Sequence, residues 1–341
     1  MFLVCQTMNT KLPANLETII DYQAALEGAA LYRLPEAGYL RISGSDQVNF
    51  LQRQTTNDMT HLTAGHSLVT VLTSATGRIL DVLTVFTEPG SALGALPLPG
   101  QAASTANFLK SRIFFMDKVS VVDASSEQVQ VELTGPLAPA VLKGTGIQDL
   151  PSVEGVIPVE IGGVPASLIR QPARPGMDYL LLMPIGVADQ AISALLSQGV
   201  VPLTPESYQI LRIESGQPGA GAELTSDYTP LEIGLVSSIA ENKGCYTGQE
   251  VIARQMTYDK ITQHMVGLHL QTMVQTGERV FADGRMIGTI TSCVQSPRFG
   301  PIALAVIKRP YHLPGAEVTV GSGKGETQPQ PARVTALPFS L

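Results

Sequence analysis

One stretch, residues 241–255, holds the side chains best suited to chemistry. Cys245 follows Lys243 by two residues, and Thr247 precedes Glu250 by three. The Thr-x-x-Glu spacing is typical of a capping box, in which each side chain bonds the other residue's backbone amide, so we predict that a helix begins here. A thiol beside an ammonium group and near the positive end of a helix dipole is favoured as the thiolate. The alternative is that Cys245 is a small buried apolar residue in a capped turn.

The rest of the chain must supply the elements that position this stretch. Alternating or wholly apolar segments predict strands, and apolar residues at helical spacing predict helices. Residues 89–103, rich in Gly, Pro and Ala, are interpreted as a loop, and residues 114–115 as a strand entry. The mixture indicates an α+β fold class, and short strands after about residue 262 predict a small all-β barrel. The predicted helices are 16–31, 45–58, 107–113, 188–198 and 205–216, and the predicted strands are 37–42, 67–72, 79–86, 119–122, 129–133, 156–161, 166–169, 179–183, 265–270, 279–281, 286–294, 302–307 and 317–320.

Composition bounds the classes of protein that the chain can belong to. Its 341 residues are more than one core usually supports, so two or three domains are expected. A hydrophobic content of 44% with 15% charged residues describes a globular protein, and no apolar run approaches the roughly 18 residues that cross a bilayer. The three cysteines lie far apart, which favours neither a disulfide framework nor a Cys-x-x-Cys metal site. We therefore expect a cytoplasmic protein without a metal site.

The charge is unevenly distributed along the chain. The net charge is −7, and this acidity argues against general binding of nucleic acid. Residues 1–240 contain 12 Lys and Arg against 22 Asp and Glu, whereas residues 241–341 contain 10 against 7. The basic excess begins at the Cys245 stretch, where Gly244 and Gly248 leave room for close approach of a backbone or a ligand. An anionic ligand would suit this region, although uneven surface charge alone is the simpler interpretation.

Several motifs make the chain similar to a known family. The string Lys-Gly-Cys-Tyr-Thr-Gly-Gln-Glu at 243–250, with Arg254 four residues on, resembles the signature of the YgfZ proteins. These are folate-binding relatives of the glycine-cleavage T-protein, an aminomethyltransferase, and are associated with assembly and repair of iron–sulfur clusters. Further matching blocks lie at 44–58, 212–216, 230–235, 288–297 and 302–305. Together they cover most of the chain from about residue 16 to 337.

The resemblance implies a three-domain, T-protein-like cloverleaf around a central channel that holds tetrahydrofolate or a one-carbon derivative. After a loose arm of residues 1–15, the first α+β domain would contain residues 16–48 and 128–213. The second would contain residues 49–127 and 214–262 and carry the Lys-Gly-Cys-Tyr motif. Residues 263–341 would form the C-terminal barrel.

The resemblance also implies which residues serve the folate. A buried carboxylate can accept charge-assisted bonds from the N–H edge of a pterin, each of about 1.5–3 kcal/mol. Glu232, in Pro-Leu-Glu, matches the family's pterin-binding position, and Glu214 is the second candidate, unless it pairs with Arg212 or lies on a helix surface. Arg254 would face the channel or pair with Glu250. Tyr246 and Gln249 complete the predicted folate-binding set.

Three residues are predicted to act in catalysis, namely Cys245, Lys243 and Asp81. Asp81 falls near the place where aminomethyltransferases carry a functional aspartate, unless it is an exposed residue at a strand edge. T-proteins have two acidic residues there, whereas this chain has Asp81 followed by Val82. A second departure is Gln-Thr-Gly at 275–277, where T-proteins tend to place Arg before Lys-Gly.

Three functional hypotheses follow from the motifs. The first is a YgfZ-like, tetrahydrofolate-binding protein that supports iron–sulfur enzymes, its partners, through a functional Cys245 at the channel. The second is an aminomethyltransferase that transfers a one-carbon unit to tetrahydrofolate, and the third is a non-catalytic folate-binding scaffold. The Lys-Gly-Cys-Tyr string favours the first because T-proteins lack that cysteine. A monomer is favoured.

Overall fold

A computed structural model shows that the chain folds into short helices and strands. The structure describes residues 14–88, 90–171, 179–321 and 329–340. The elements are α1 (Ala14–Glu27), β1 (Ala30–Arg33), β2 (Leu40–Ser43), α2 (Gln47–Gln54), β3 (Ser67–Thr73), β4 (Ile79–Thr87), β5 (Leu93–Leu96), α3 (Ala102–Ser111), β6 (Ser120–Asp123), β7 (Gln128–Thr134), α4 (Ala138–Gly144), β8 (Val156–Ile161), β9 (Val164–Arg170), β10 (Tyr179–Pro184), α5 (Ala188–Ser197), β11 (Val201–Pro202), α6 (Pro205–Glu214), α7 (Gln249–Thr257), β12 (Gln263–Leu270), β13 (Arg279–Ala282), β14 (Arg285–Ser296), β15 (Gly300–Lys308), β16 (Glu317–Gly321) and β17 (Gln330–Thr335).

The first sheet has the strand order β11-β1-β7-β10-β9-β8 and is antiparallel except for the β1–β11 pair. Its central strand β7 alternates strictly, so that Val129, Val131 and Leu133 join one core with α4 and α5. The opposite face of β7 carries Gln130 and Glu132, both 5% exposed. Strand β7 is therefore buried on both faces, and one of those faces is polar.

The second sheet has the order β3-β4-β5-β2-β6, and α2 and α3 cover its apolar face. The third unit is a closed barrel of six strands in the order β12-β15-β14-β13-β16-β17. Closure leaves no free sheet edge and packs an apolar interior that includes Leu268, Ile290 and Ala305. The α+β fold class and the terminal barrel follow the sequence-based prediction.

The first two sheets are interleaved along the chain. Strand β1 lies in the first sheet, whereas β2 pairs with β5 and β6 in the second, so the chain changes sheets between residues 33 and 40. The division that assigned residues 16–48 to the first domain therefore differs from the sheet pairing. The chain returns to the first sheet at β7 and enters the barrel at β12.

Two local predictions were wrong, and several elements were not predicted. Strand β5 lies inside the expected loop 89–103, because Gly94 packs against the ring of Phe86, which would lie 2.5 Å from an added Cβ. Residues 114–115 form part of a turn and do not enter a strand. The elements that were not predicted from the sequence are β1, α4, β11 and β17.

Two further findings concern the chain as a whole. Most of the predicted loose arm, and Cys5 within it, lies outside the described residues. In the part of the chain that the structure describes, no helix is both long and apolar enough to cross a bilayer.

Candidate functional site

A central cavity of about 400 Å³ lies between the first two sheets and is closed by the segment 217–224. The first sheet contributes side chains of β1, β7 and β10, and the second contributes β3, β4 and the residues that follow β5. The cavity thus forms where the polar face of β7 meets the second sheet. Its lining combines apolar walls with a small set of polar groups, as is typical of small-molecule sites.

The polar part of the cavity is built around Glu132. Glu132 and Gln130 project from the same face of β7 because side chains two residues apart in a strand share a face. The side chain of Gln130 is held in place by its amide, which donates to the Gly38 carbonyl at 2.7 Å. Nearby, the buried Oε1 of Gln171 has no hydrogen-bond partner within the described ranges. Among the described lining residues, Glu132 is the one carboxylate.

Aromatic rings form one wall of the cavity. Tyr32 lies directly opposite Glu132 in the β1–β7 register, and its ring stacks on that of Tyr208 with centroids 4.0 Å apart. Burial, and to a lesser extent the Glu132 carboxylate, raises the pKa of the Tyr32 hydroxyl. The remaining walls are apolar and include Leu96 and Leu180. A flat heteroaromatic ring with N–H groups along one edge would match these walls and the Glu132 carboxylate.

Arg212 also lines the cavity, but its donors are engaged within the protein. Its guanidinium group pairs with the fully buried Glu223 at 3.2 Å and donates to Ser292 Oγ at 2.9 Å. It also donates to the Gln217 carbonyl at 2.8 Å. Ser292 belongs to the barrel, so Arg212 joins α6, the segment 217–224 and the barrel. This arrangement makes Arg212 a clamp that shapes the cavity wall.

Asp81 is turned away from the cavity. Its carboxylate accepts bonds from the Leu98 amide at 3.0 Å and from the Thr105 hydroxyl on α3. Burial raises the pKa of Asp81 to about 6, although these hydrogen bonds act in the opposite direction. The alternative of an exposed strand-edge residue is wrong, because Asp81 is 1% exposed. The neighbouring residue Val82 faces the cavity in its place.

Glu232 does not line the cavity either. Its carboxylate accepts a bond from the Thr229 amide at 2.8 Å and pairs with Arg78 at 3.2 Å. Its backbone carbonyl accepts a bond from Met265 at the start of the barrel. The residue therefore fastens the turn between β3 and β4 to the segment that leads into the barrel.

Glu214 belongs to a separate buried group of side chains. Its carboxylate accepts bonds from the Tyr22 hydroxyl at 2.8 Å and from Ser296 Oγ at 2.5 Å. Burial and the Glu214 carboxylate raise the pKa of Tyr22. Both alternatives considered for Glu214 are wrong, because it is 6% exposed and Arg212 pairs with Glu223 instead.

The predicted capping box at Thr247 and Glu250 is absent. Helix α7 begins at Gln249, and its N-cap residue is Gly248, which has a φ of +85° and makes no side-chain cap bond. The Thr247 carbonyl instead accepts a bond from the Thr73 hydroxyl at 2.5 Å. A Cβ on Gly248 would lie 2.5 Å from the Ser74 carbonyl oxygen, so this glycine is required for close approach of the β3–β4 turn.

Cys245 is exposed, and Lys243 is directed elsewhere. The exposure rules out the alternative of a buried apolar cysteine. Lys243 Nζ donates to the carbonyls of Thr55 and Asn57, each at 2.6 Å, at the C-terminal end of α2. Burial lowers the pKa of Lys243 to about 8, and Asp58 partly opposes this shift. The ammonium group therefore anchors the Cys245 loop to α2, at the helix end where a cation is favoured.

The remaining predicted residues surround this loop. Tyr246 is 8% exposed in a small apolar cluster, and burial raises its pKa to about 12. Gln249 donates to the Lys243 carbonyl at 3.3 Å. Arg254 is exposed on α7 and forms no ion pair with Glu250.

None of the eight predicted site residues lines the central cavity. Sequence reasoning missed the residues that do, above all Glu132, Gln130 and Tyr32. A signal for two of them was present: in Gln-Val-Gln-Val-Glu-Leu-Thr at 128–134, polar residues alternate with apolar ones. Such a strand at the centre of a sheet places its polar residues in the interior. Within the described ranges, no cluster of three His, Cys, Asp or Glu residues is arranged to hold a metal ion.

Comparisons with known proteins place the chain in a family. A family model described as the GCVT N-terminal domain matches residues 14–243, and one described as the glycine cleavage T-protein C-terminal barrel domain matches residues 263–340. A chloroplastic protein of Arabidopsis thaliana, whose name describes a transferase, is 32% identical over 305 residues, covering 86% of this chain and 68% of the relative. An aminomethyltransferase of Listeria monocytogenes is 28% identical over 327 residues, covering 94% of this chain and 88% of the relative.

A solved structure shares the fold. The glycine cleavage system aminomethyltransferase T from Bartonella henselae matches with a TM-score of 0.83 at 23% identity. The match covers 95% of this chain and 89% of that chain. The predicted fold class, a T-protein-like α+β fold with a terminal barrel, is thereby confirmed.

Proposed function

The chain belongs to the glycine-cleavage T-protein superfamily, and we propose that it binds tetrahydrofolate or a one-carbon derivative in the central cavity. The observation that carries this proposal is the buried Glu132 carboxylate at the wall of a slot lined by stacked aromatic rings. The cavity lies between the first two sheets, and the barrel supports its wall through Ser292, which accepts a bond from Arg212. This location replaces the one that was predicted around Glu232.

The chemistry of a reduced folate fits these walls. The amino and ring N–H groups of a pterin are donors, and Glu132 is positioned to accept from them. The Oε1 of Gln171 adds an acceptor, and Tyr32 with Tyr208 offers an aromatic edge and face. Each charge-assisted bond to the carboxylate contributes about 1.5–3 kcal/mol.

We propose further that binding, and not aminomethyl transfer, is the function of the cavity. T-proteins have a second acidic residue where this chain has Val82, and Val82 is the residue that faces the cavity. If Glu132 holds the pterin, no second carboxylate among the described lining residues remains for proton transfer at the reacting nitrogens. The aminomethyltransferase names of the Listeria relatives favour the alternative, a true transferase.

The subfamily proposal is a YgfZ-like protein that supports iron–sulfur enzymes. It is supported by the Lys-Gly-Cys-Tyr string and by the exposure of Cys245 on a loop that Lys243 anchors. In this role, Cys245 presents a thiol to solvent, and Lys243 and Tyr246 hold its loop in place. A folate-binding scaffold without catalysis would use the same cavity.

Anaerobic calorimetric titration with tetrahydrofolate tests the cavity. Glu132→Gln should weaken binding by roughly 10- to 150-fold, since loss of one charge-assisted bond of about 1.5–3 kcal/mol corresponds to this range. Glu214→Gln is the matched control, because it neutralises a buried carboxylate outside the cavity and should leave the affinity unchanged. Equal weakening by both variants, or no effect of Glu132→Gln, would contradict the proposal.

Two further assays separate the candidate functions. Incubation with tetrahydrofolate and a lipoyl-bound aminomethyl donor should release no ammonia above the uncatalysed rate; release at enzymatic rates would favour the aminomethyltransferase. In cells that lack the protein, Cys245→Ala should fail to restore the activity of iron–sulfur enzymes, whereas the half-buried Cys293→Ala should restore it. Full restoration by Cys245→Ala would exclude a role for the thiol.

A further inference from the structure

An apolar loop lies exposed between α3 and β6. Phe114, Phe115 and Met116 are 63%, 96% and 74% exposed, respectively. Three consecutive large apolar residues in solvent are unusual on a monomeric protein and mark an interaction site. We call residues 110–118, which comprise the last two residues of α3 and the segment that follows it, the Phe115 loop.

The Phe115 loop borders a cleft that contains Cys245. The cleft has a volume of about 480 Å³, and Phe114 and Arg112 form one side while Cys245 and Thr247 form the other. It shares no lining residue with the central cavity. An occupant of the cleft would therefore contact none of the residues that line the central cavity.

A buried polar side chain lines this cleft without a hydrogen-bond partner. Gln54, the last residue of α2, is 7% exposed, and across the described ranges its side-chain amide bonds no other protein group. Its nitrogen and oxygen are not among the fully buried unpaired atoms of the described residues, so both reach the water of the cleft, and an occupant can replace that water. The Gln54 amide offers both a donor and an acceptor, the combination that the backbone of an extended peptide would satisfy.

The charge around the Phe115 loop is positive on an otherwise acidic protein. The net charge of the chain is −7. The basic residues of the loop and the cleft are Lys110, Arg112, Lys118 and Arg53. Asp117 pairs with Arg53 at 2.8 Å, and Asp46 accepts a bond from the Lys118 backbone amide, so the four basic side chains outnumber these two carboxylates. This surface is complementary to an acidic partner.

We propose that the Phe115 loop and the Cys245 cleft form a docking surface for an acidic, extended segment of a partner protein. Apolar side chains of that segment pack on Phe114, Phe115 and Met116, and its backbone bonds the Gln54 amide. Its carboxylates face the basic residues of the loop. Docking places the segment beside the exposed Cys245 thiol. An anionic membrane would match the charge and the apolar residues, but acyl chains would leave Gln54 unpaired.

An array of synthetic ten-residue peptides tests this surface with the full chain. Four classes are compared: acidic with apolar residues, basic with apolar residues, acidic alone and apolar alone. The acidic–apolar class should bind best, and its binding should weaken as salt rises from 50 to 200 mM, roughly the range over which the Debye length shortens from about 14 to 7 Å. Phe115→Ser should weaken binding by about tenfold or more, as is typical of an aromatic anchor. Arg112→Glu and Gln54→Met should weaken it as well.

Leu313→Ser is the matched control, because it removes an apolar side chain that is 56% exposed on a different part of the surface. It should leave peptide binding unchanged.

Binding without preference for acidic–apolar peptides, or binding that Phe115→Ser does not weaken, would overturn the proposal. Sedimentation with phosphatidylglycerol vesicles is run in parallel. Vesicle binding that depends on Phe115, without peptide binding, would assign the surface to a membrane and would also overturn the proposal. Tetrahydrofolate titration of the same variants reports separately on the central cavity.

Discussion

Replacement of Arg212 by Met tests the clamp at the junction of the three units. The guanidinium group is 9% exposed and pairs with Glu223, which is fully buried. Removal of one partner leaves a buried carboxylate without its counter-ion, which typically costs about 3–5 kcal/mol. The matched control is Arg33→Met, because Arg33 pairs with Asp189 at 3.1 Å but the two side chains are 49% and 88% exposed. An exposed pair of this kind contributes about 0–1 kcal/mol.

Urea unfolding, followed by circular dichroism at pH 7.5, measures both variants. Arg212→Met should lower the free energy of unfolding by at least about 2 kcal/mol more than Arg33→Met does. The smallest loss expected for Arg212→Met is about 3 kcal/mol, and the largest expected for Arg33→Met is about 1 kcal/mol. The double variant Arg212→Met/Glu223→Gln should recover part of this loss, because the unpaired charge is removed. Equal effects of Arg212→Met and Arg33→Met would refute the assignment of Arg212 as a clamp. A double variant less stable than Arg212→Met would refute the electrostatic explanation.

Three further predictions concern residues of the site region. Gly248→Ala should lower the free energy of unfolding by about 1–3 kcal/mol, because φ is positive there and the added methyl group would contact a backbone carbonyl. Gly244→Ala should have little effect in the same urea titration, because no atom lies within contact distance of the added methyl group. Asp81 has a pKa raised to about 6 in the folded state, so the native state binds more protons than the unfolded state between about pH 4 and 6, and stability should fall as pH rises through this window. The Asp81→Asn variant should lack that fall, which amounts to about 3 kcal/mol. An identical pH profile for both proteins would contradict the burial of an ionisable carboxyl. Lys243→Met should lower the free energy of unfolding by about 1.5–3 kcal/mol, because it removes bonds to two carbonyls. The control Lys308→Met, at an exposed lysine, should leave the melting temperature nearly unchanged. Similar melting temperatures for the two variants would show that the ammonium group does not anchor the Cys245 loop.

Much of the fold could be predicted because local patterns agree with the tertiary structure. Strand β4 and helix α6 have the expected apolar periodicity, and the closely spaced strands and turns after residue 262 predict the barrel. Strand β5 could not be predicted from propensity, since its Gly94 is required by the ring of Phe86 from the neighbouring strand. That contact exists only after the sheet has formed.

The site was harder to predict than the fold because side-chain direction depends on register. Asp81 and Val82 are adjacent in sequence, yet one bonds α3 and the other faces the cavity, since neighbouring residues of a strand point to opposite faces. Identification of the cavity-facing residue therefore requires knowledge of which face of β4 meets the first sheet.

The motif residues proved to hold segments together. Glu232 fastens the turn before β4 to the entry of the barrel, and Lys243 fastens the Cys245 loop to α2. Glu132 stands far from both in sequence, on a strand whose polar face is interior only because a second sheet packs on it. Long-range packing of this kind is not encoded in a local motif.

The most direct test of the central claim is a crystal structure of the full chain grown anaerobically with tetrahydrofolate. We expect density for a pterin in the central cavity, with its N–H edge within hydrogen-bond distance of the Glu132 carboxylate and its ring near Tyr32. Density at the Cys245 cleft or on the barrel, with the central cavity lacking a ligand, would contradict folate binding at Glu132.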